Sequence, residues 1–195
     1  MQKPAVELPK KVGKYTPTEE LGRGQFGIVF RAKENASGQI YAVKCIAKAQ
    51  LNSMPKLKEL FQTEKKVMRE LFHPNIMHLY DEMETGTNYY LVIDYCGGGD
   101  LEELLKREKT FLEIDAVYYL KQIMNGFQEL RKHKVLHRDF KLANIFLNDG
   151  TLVIGDFGFA KTADVATTRL GTPYNMSPEI IFSTGQTLYT NKTDL

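Results

Sequence analysis

The string HRDFKLAN, residues 137–144, places an acidic, a basic and an amide side chain within a few positions of one another. Its Asp139 could accept a proton from an attacking hydroxyl group. The amide oxygen of Asn144 and the carboxylate of Asp156, which opens a later Asp-Phe-Gly triplet, are hard oxygen ligands of the kind that magnesium prefers. Lys141 could neutralise negative charge on a group under transfer. Surface carboxylates are commonly only solvent-facing, so the ordered combination, and neither aspartate alone, indicates a catalytic site.

Lys44 and Glu64 are a second pair of candidates, from the first half of the chain. Because side chains alternate along a strand, Ala42 and Lys44 share a face of the strand predicted around them. A small residue there leaves room for a flat base, while the lysine ammonium could reach phosphates. Glu64 falls on the apolar face of the helix predicted after Pro55, where a carboxylate must find a cationic partner or hydrogen-bond donors. Most strand lysines are simply solvated, but Lys44 would supply the partner that Glu64 requires.

The glycine-rich segment 21–29 contains the pattern GxGxxG at Gly22, Gly24 and Gly27. Alone this pattern is weak, because it also marks dinucleotide-binding folds and arises by chance. A dinucleotide fingerprint should open a helix, whereas residues 29–32 (VFRA) continue as a strand. Glycines at a strand-turn-strand tip let the backbone close over phosphates without obstruction by side chains. A tight hairpin with a purely structural need for glycine is the alternative.

The elements that must position these residues are strands first and helices afterwards. Runs rich in β-branched and aromatic residues predict strands at 27–32, 40–46, 89–93 and 145–147, and the turn cluster at 35–38 makes the first two a hairpin. Helical spacing of apolar residues predicts helices after Pro55, at 101–106 and from about Glu113 to Lys132. This order favours an α+β fold over a parallel α/β sheet.

Composition places the chain among globular proteins. The 195 residues are 43% hydrophobic and 26% charged, with a formal net charge of +2, which gives no argument for nucleic acid or an anionic membrane as a partner. No apolar stretch has the length of a membrane span, and the first residues lack the apolar core of a secretory signal. The two cysteines, Cys45 and Cys96, do not make a disulfide framework, and the four histidines lack the spacing of a metal site. We therefore expect no integral membrane association and a reducing, cytoplasmic location.

Taken in order, these motifs resemble those of the eukaryotic protein kinases of the serine/threonine type. The matching signatures are the glycine-rich loop, AVK, the helix glutamate, HPNI at 73–76, HRDxKxxN, DFG and GTPxxxSPE at 171–179. The resemblance implies a bilobal α+β fold, with a small antiparallel sheet and one long helix in the N-lobe and a mainly helical C-lobe. We expect an N-terminal tail at 1–14 and a kinase domain at 15–195, divided into N-lobe and hinge at 15–96 and a partial C-lobe at 97–195.

The resemblance also implies ATP and Mg²⁺ as cofactors and a role for each candidate residue. Around the adenine it implies Leu21, Val29, Ala42, the gatekeeper Ile93, backbone groups of Asp94 and Cys96 in the hinge, and Phe146 as the floor. At the phosphates it implies Gly22, Gly24, Gly27 and Lys44, with Glu64 as the partner of Lys44 and Glu59 as a poorer alternative. For catalysis it implies Asp139 as the base, Lys141 beside it, and Asn144 and Asp156 as magnesium ligands. The implied reaction is transfer of the γ-phosphate of ATP to serine or threonine hydroxyls of protein substrates.

Arg138 adds an expectation about regulation. An arginine beside the catalytic base often binds a phosphate on the activation segment, here residues 156–179. Thr168 has the usual position for that phosphate, with Thr167 as the close alternative, and either an upstream kinase or the protein itself would add it. The alternative is that both threonines are merely polar loop residues.

The sequence departs from the family pattern at two places. Ser177 stands before Pro178 where alanine is usual, which is a mild change. The chain also stops at Leu195, where the large central helix of the C-lobe would begin, although Asp194 is still expected to brace the HRD loop. Without that helix, the apolar face of the helix at 113–132 should be exposed. A fragment, or a catalytically dead binding module, is therefore the rival to an active kinase.

The strings HRDFKLANIFL, GDFGFAK and TTRLGTPYNMSPE are most similar to those of the autophagy-initiating (Unc-51-like) kinases. Aurora-like, polo-like and calcium/calmodulin-dependent kinases stay open, because these motifs are widely shared. A kinase of small molecules is disfavoured by residues 171–179, which resemble the peptide-positioning loop of protein kinases.

Overall fold

The computed structural model describes residues 9–24, 27–53, 55–162, 176–182 and 190–194. The chain divides into two compact units, Met1–Pro55 with Leu79–Tyr95, and Lys56–His78 with Cys96–Leu195. Strands dominate the first unit and helices the second. The predicted α+β class, with an antiparallel sheet followed by helices, is therefore confirmed.

The first unit is a five-stranded antiparallel sheet with one short helix. Its strands are β1 (Tyr15–Gly24), β2 (Gly27–Glu34), β3 (Ile40–Ala47), β4 (Leu79–Glu84) and β5 (Asn88–Ile93), and their order across the sheet is β1-β2-β3-β5-β4. β2 and β3 form the predicted hairpin, with Ile28 opposite Cys45 and Lys33 opposite Ile40. The sequence did not predict helix α1 (Lys48–Ser53), which is short and buries only Leu51.

The two faces of this sheet differ in composition. Strand alternation places the core residues on one face, where Val12, Tyr15, Ile28, Phe30, Ala32, Val43, Tyr90 and Val92 pack together. Directly paired residues of antiparallel strands share a face. Val29 pairs with Lys44, and Ala42 pairs with Ile93. These candidate nucleotide-binding residues therefore lie together on the face opposite the core.

The second unit contains four helices within its described part and two small antiparallel ladders. The helices are α2 (Pro55–Glu70, counted from its second residue), α3 (Leu101–Glu108), α4 (Glu113–Lys132) and α5 (Pro178–Ile181). β6 (Val135–Leu136) pairs with β9 (Lys161–Thr162), and β7 (Ile145–Asn148) pairs with β8 (Thr151–Ile154). Short 3-10 helices span Leu142–Asn144, Phe157–Phe159 and Asn191–Asp194.

Local signals explain where α3 and α4 begin and end. The Asp100 carboxylate accepts the backbone N–H of Glu103 at 2.9 Å and so caps the start of α3. α4 has the bounds that its apolar spacing predicts. Its first turn carries Glu113 and Asp115 and its last turn Arg131 and Lys132, which complements the helix dipole.

The apolar face of α4 is largely exposed. Within this helix only Gly126 and Leu130 are buried, whereas Ile114 is 76% and Tyr118 55% exposed. The expectation of an uncovered apolar face is therefore confirmed for the part of the chain that the structure describes. Among these same residues, no helix combines the length and the apolar character that crossing a membrane requires.

Candidate functional site

The backbone of the HRD string is held by a carboxylate from much later in the chain. Asp194 accepts the backbone N–H of His137 at 2.7 Å and that of Arg138 at 2.8 Å. All three residues are buried, and Arg138 has the left-handed backbone conformation, with φ of 66°. Buried amide groups require such partners. The predicted bracing of this loop by Asp194 is thus confirmed.

His137 joins this loop to the segment just before Asp156. Its Nδ1 accepts the backbone N–H of Asp139 at 3.3 Å, while its Nε2 lies 3.0 Å from the carbonyl oxygen of Gly155. A carbonyl only accepts, so the hydrogen bonds assign a neutral ring that carries its proton on Nε2. The Phe157 ring packs beside it, with centroids 5.2 Å apart. Sequence reasoning did not single out His137, because a lone histidine carries no signal of its hydrogen-bond partners.

Asp139, Lys141 and Asn144 come together in this unit. The Nζ atom of Lys141 lies 3.0 Å from Oδ2 of Asp139. The Asn144 amide donates to the backbone carbonyl of Asp139 at 2.8 Å and to its Oδ2 at 3.2 Å. Asp139 is only 4% exposed. The carboxylate is therefore fixed by a cation and an amide, which leaves little rotamer freedom to lose when a substrate binds.

Asn144 and Asp156 supply oxygens of the kind that Mg²⁺ takes. The Asn144 side chain directs its NH₂ group to Asp139, so its Oδ1, which accepts no hydrogen bond within the described residues, is the atom available to a cation. Asp156 has the left-handed conformation (φ 56°, ψ 65°), which costs a non-glycine residue on the order of 1 kcal/mol. Gly155 N–H donates to the Asn144 carbonyl at 2.9 Å and so ties the two segments together.

This donor set fits magnesium better than a metal held by protein alone. The described residues contain no group of three or more His, Cys, Asp or Glu side chains that could hold a metal ion. Mg²⁺ is commonly bound by one or two carboxylates together with substrate phosphates and water. One carboxylate, Asp156, and one amide oxygen, Asn144, match that requirement.

Phe146 and Cys96 also lie in the second unit. Phe146, on β7, approaches Gly155 so closely that a Cβ atom at 155 would lie 2.9 Å from its Cε2. The Cys96 carbonyl accepts a long 3.4 Å hydrogen bond from the backbone N–H of Gly99. Packing against Phe146 therefore explains why residue 155 is glycine. The sequence pattern around Asp156 did not indicate this contact.

Glu64 lies on the buried face of α2, as its spacing predicts. It is 4% exposed and shares that face with Leu57, Leu60, Phe61, Val67 and Met68. Lys44 belongs to the first unit, where it lies on β3 opposite Val29 on one side and Leu91 on the other. Glu59, the poorer alternative, lies on the exposed side of α2 and pairs with Lys56 at 3.2 Å.

The glycines of the glycine-rich segment fall into two classes. At Gly27 φ is 149°, and an added Cβ would lie 2.0 Å from the carbonyl oxygen of Cys45, so the close approach of β3 requires glycine there. At Gly22 and Gly24 an added Cβ would meet none of the described residues within 4 Å. The hairpin alternative thus explains Gly27 and leaves Gly22 and Gly24 without a structural reason. Their neighbour Leu21 is 43% exposed.

Ile93 and Asp94 are the remaining candidate residues of the first unit. Ile93 ends β5 and is 9% exposed, opposite Ala42 on β3 and Leu79 on β4. The carboxylate of Asp94 accepts a hydrogen bond from the Tyr80 hydroxyl at 2.8 Å.

The family model described as the protein kinase domain matches residues 15–195. The chain belongs to the protein kinase family. Serine/threonine-protein kinase ATG1c of Arabidopsis thaliana is 37% identical over 177 residues, which are 87% of this chain and 24% of that protein. Serine/threonine-protein kinase atg1 of Dictyostelium discoideum is 34% identical over 197 residues, or 95% of this chain and 29% of that protein. Serine/threonine-protein kinase plk-2 of Caenorhabditis elegans is 36% identical over 176 residues, 88% of this chain and 28% of that protein.

These relatives confirm the resemblance to serine/threonine-protein kinases, including the kinases named ATG1. The chain spans between about a quarter and three tenths of the length of these relatives. The identity to ATG1c, at 37%, and that to plk-2, at 36%, are nearly the same.

Arg138, Thr167 and Thr168 are the residues predicted to take part in regulation. Arg138 donates from Nη2 to the carbonyl oxygen of Ala160 at 3.3 Å. Thr167 and Thr168, the predicted phosphorylation sites, lie outside the described residues. Glu179 is exposed in the first turn of α5, which begins after Ser177 with Pro178 at its first position.

Proposed function

We propose that the protein is an ATP-dependent serine/threonine kinase of proteins. The observation that carries this proposal is the fixed arrangement of Asp139, with Lys141 3.0 Å and the Asn144 amide 3.2 Å from the same carboxylate oxygen. Burying a carboxylate costs free energy, which the partners of Asp139 must first offset. A base that must meet an incoming hydroxyl in one orientation gains positional precision.

The proposal gives each candidate residue a role in nucleotide binding. Leu21, Val29, Ala42, Ile93, the backbone of Asp94 and Cys96, and Phe146 contact the adenine. Gly22, Gly24 and Gly27 let the backbone approach the phosphates, and Lys44 binds them as a point charge supported by Glu64. The open space around Gly22 and Gly24 supports this assignment, because a side chain there would occupy room that the fold itself leaves unused.

The catalytic residues act by position and charge. Asp139 orients the substrate hydroxyl and accepts its proton, and the Lys141 ammonium balances the negative charge that gathers near it. Asn144 and Asp156 would hold Mg²⁺, which when bound neutralises charge on the phosphates. The rigid loop, tied by His137 and Asp194, keeps the acceptor oxygen and the base in register.

Substrates, regulation and location complete the proposal. Protein substrates follow from the family, and serine/threonine specificity is supported by Lys141 and by the similarity to serine/threonine-protein kinases. Arg138 would bind a phosphate on Thr168, or on Thr167, added by an upstream kinase or by the protein itself. A cytoplasmic location is supported by the two cysteines, Cys45 and Cys96, which form no disulfide within the described residues.

The test is phosphate incorporation measured by intact mass with ATP and Mg²⁺ and a generic protein acceptor. Asp139→Asn should lower the rate by about 100-fold or more, because general-base catalysis typically contributes that much. Asp149→Asn is the matched control. It makes the same change in a solvent-exposed turn, where φ is 47° and asparagine is well tolerated. This control should keep the wild-type rate.

The results of this test distinguish an active kinase from a catalytically dead binding module. Incorporation that survives unchanged in Asp139→Asn would contradict the assignment of Asp139 as the base. Nucleotide binding without incorporation in the wild-type chain would favour the binding-module reading instead.

A further inference from the structure

Tyr80 occupies an irregular position in β4. Leu79 pairs with Ile93 and Asp81 pairs with Val92, so the register shifts across Tyr80 and leaves it as the extra residue of a β-bulge. A bulge redirects the side chain of the extra residue relative to a regular ladder. Here the side chain reaches Asp94, the residue just after the end of β5.

The contact at the end of this side chain is a charged hydrogen bond. The Tyr80 hydroxyl donates to Oδ1 of Asp94 at 2.8 Å. Hydrogen bonds from a hydroxyl to a carboxylate are stronger than those between neutral groups. Although Tyr80 is 48% exposed, the short distance indicates a formed bond and not a chance approach.

The Tyr80 ring has support within the same sheet. Tyr41 meets it edge to face, with centroids 5.1 Å apart, and Tyr15 meets Tyr41 in turn at 5.7 Å. Tyr15 is 2% exposed. This row of rings fixes the position from which the hydroxyl of Tyr80 donates.

The residue after Asp94 is anchored as well. The guanidinium of Arg31, on β2, lies 5.4 Å from the centre of the Tyr95 ring, a cation–π contact. Two consecutive side chains, Asp94 and Tyr95, are thus tied to the sheet by residues from different strands. Their backbone loses conformational freedom before any ligand arrives.

We propose that Tyr80 is a positioning residue for adenine binding, which acts by fixing Asp94 in the conformation that presents its backbone to the base. The inference rests on the proposed function, because that function makes the backbone of Asp94 an adenine contact. A segment that is ordered in advance binds its ligand more tightly, since binding no longer has to order it. Tyr80 itself need not touch the nucleotide.

The test is the change Tyr80→Phe, which keeps the ring and removes the hydroxyl. The dissociation constant for adenosine, measured by calorimetry on the full chain, should rise about three- to tenfold, the range expected for one hydrogen bond to a charged group that is partly exposed. The dissociation constant for inorganic tripolyphosphate should stay within about twofold, because no base contact is involved. In kinetics, KM for ATP should rise with kcat retained, as for uniform binding of ground and transition states.

Tyr15→Phe is the matched control. It removes a tyrosine-to-aspartate hydrogen bond of the same kind, from Tyr15 to Oδ2 of Asp81 at 3.2 Å, elsewhere in the same sheet. Adenosine binding by this variant should stay within about twofold of wild type. In an Asp94→Ala background, the further change Tyr80→Phe should have no added effect, because the acceptor is already gone.

Each outcome has a definite meaning. Equal adenosine affinity in Tyr80→Phe and wild type would overturn this inference while leaving the proposed function intact. Equal weakening of adenosine and tripolyphosphate would also overturn it, by showing a general loss of structure. A wild-type chain that binds neither adenosine nor ATP would overturn the proposed function itself.

Discussion

In the first unit, the candidate nucleotide-binding side chains lie on one face of a sheet, whereas in the second unit the candidate catalytic side chains lie inside a network of buried polar groups. The sheet is held by its backbone ladder and by the apolar core on its other face. The network is held by side chains, including His137, Asp139, Asn144 and Asp194, which are buried in turn.

In the first unit, the candidate binding side chains are therefore distinct from the groups that stabilise the sheet. In the second unit, the candidate catalytic side chains belong to the network that stabilises the fold. A side chain such as Lys44 can be shortened without removing a ladder hydrogen bond or a core contact of the sheet. A carboxylate such as Asp194 cannot, because its removal leaves two buried amides without acceptors. We therefore expect substitutions at candidate sites of the sheet to change binding, and those in the network to change folding as well.

The largest effect should come from Asp194→Ala. The backbone amides of His137 and Arg138 would lose acceptors at 2.7 and 2.8 Å. Because leaving one buried donor unsatisfied costs about 1–3 kcal/mol, the free energy of unfolding should fall by about 2–5 kcal/mol. Urea unfolding followed by circular dichroism measures this change.

Two further variants make that result specific. Asp194→Asn should also destabilise the protein, since its NH₂ group would face an amide donor where the carboxylate accepts. Glu108→Ala removes an exposed carboxylate that pairs with the adjacent Arg107 at 3.0 Å, and should change stability by less than about 0.5 kcal/mol. If Asp194→Ala were as stable as Glu108→Ala, the proposed contrast between the units would fail.

Period-two and helical patterns predict much of what is regular in both units. They place the β2–β3 hairpin, the bounds of α4 and the burial of Glu64 on α2. They predict the helix α4 but not how much of its apolar face is covered, because the pattern is a property of the helix alone. The 76% exposure of Ile114 depends on what packs against the helix, which the spacing of its own residues does not encode.

The polar geometry could not be predicted in the same way. Motif resemblance brought Asp139, Lys141 and Asn144 together, but the His137 nitrogen that carries the proton is set by the carbonyl oxygen of Gly155, which is distant in sequence. The bulge that turns Tyr80 toward Asp94 depends on the pairing register of β4 and β5. The local amino-acid composition does not predict that register. Likewise the pattern GxGxxG treats its glycines alike, although only Gly27 is required by a neighbouring backbone.

Gly27→Ala tests a position of the glycine-rich segment where the neighbouring strand β3 leaves no room for a side chain. The new Cβ would lie 2.0 Å from the Cys45 carbonyl oxygen, at a φ of 149° that alanine avoids. Relief requires β2 and β3 to separate, so the free energy of unfolding should fall by about 2–4 kcal/mol. Urea unfolding again measures the change.

Gly24→Ala is the matched control from the same loop. Its Cβ would meet none of the described residues within 4 Å, so stability should change by less than about 0.5 kcal/mol while ATP affinity falls. A large loss of stability in Gly24→Ala would break the separation of binding from folding in the sheet.

The smallest effect should come from Glu34, the last residue of β2. Hydrogen bonds from the Lys14 ammonium, 2.8 Å away, and then from Ser37 lower the pKa of its carboxyl below the usual value of 4.5. A pKa lowered by folding adds stability above the unfolded pKa, and that stability is lost as pH falls through the folded pKa. Wild type should therefore be slightly more stable than Glu34→Gln at pH 7, and the difference should shrink at a pH below the folded pKa of Glu34.

High salt should reduce the same difference at pH 7, because an exposed pair is screened. Urea midpoints at the two pH values, with and without 1 M NaCl (a Debye length of about 3 Å), measure both effects. A loss in Glu34→Gln as large as that in Asp194→Ala would show that the sheet also depends on side-chain pairs. The stability of the first unit would then have the same basis as that of the second, and the difference between them would lie only in which residues are buried.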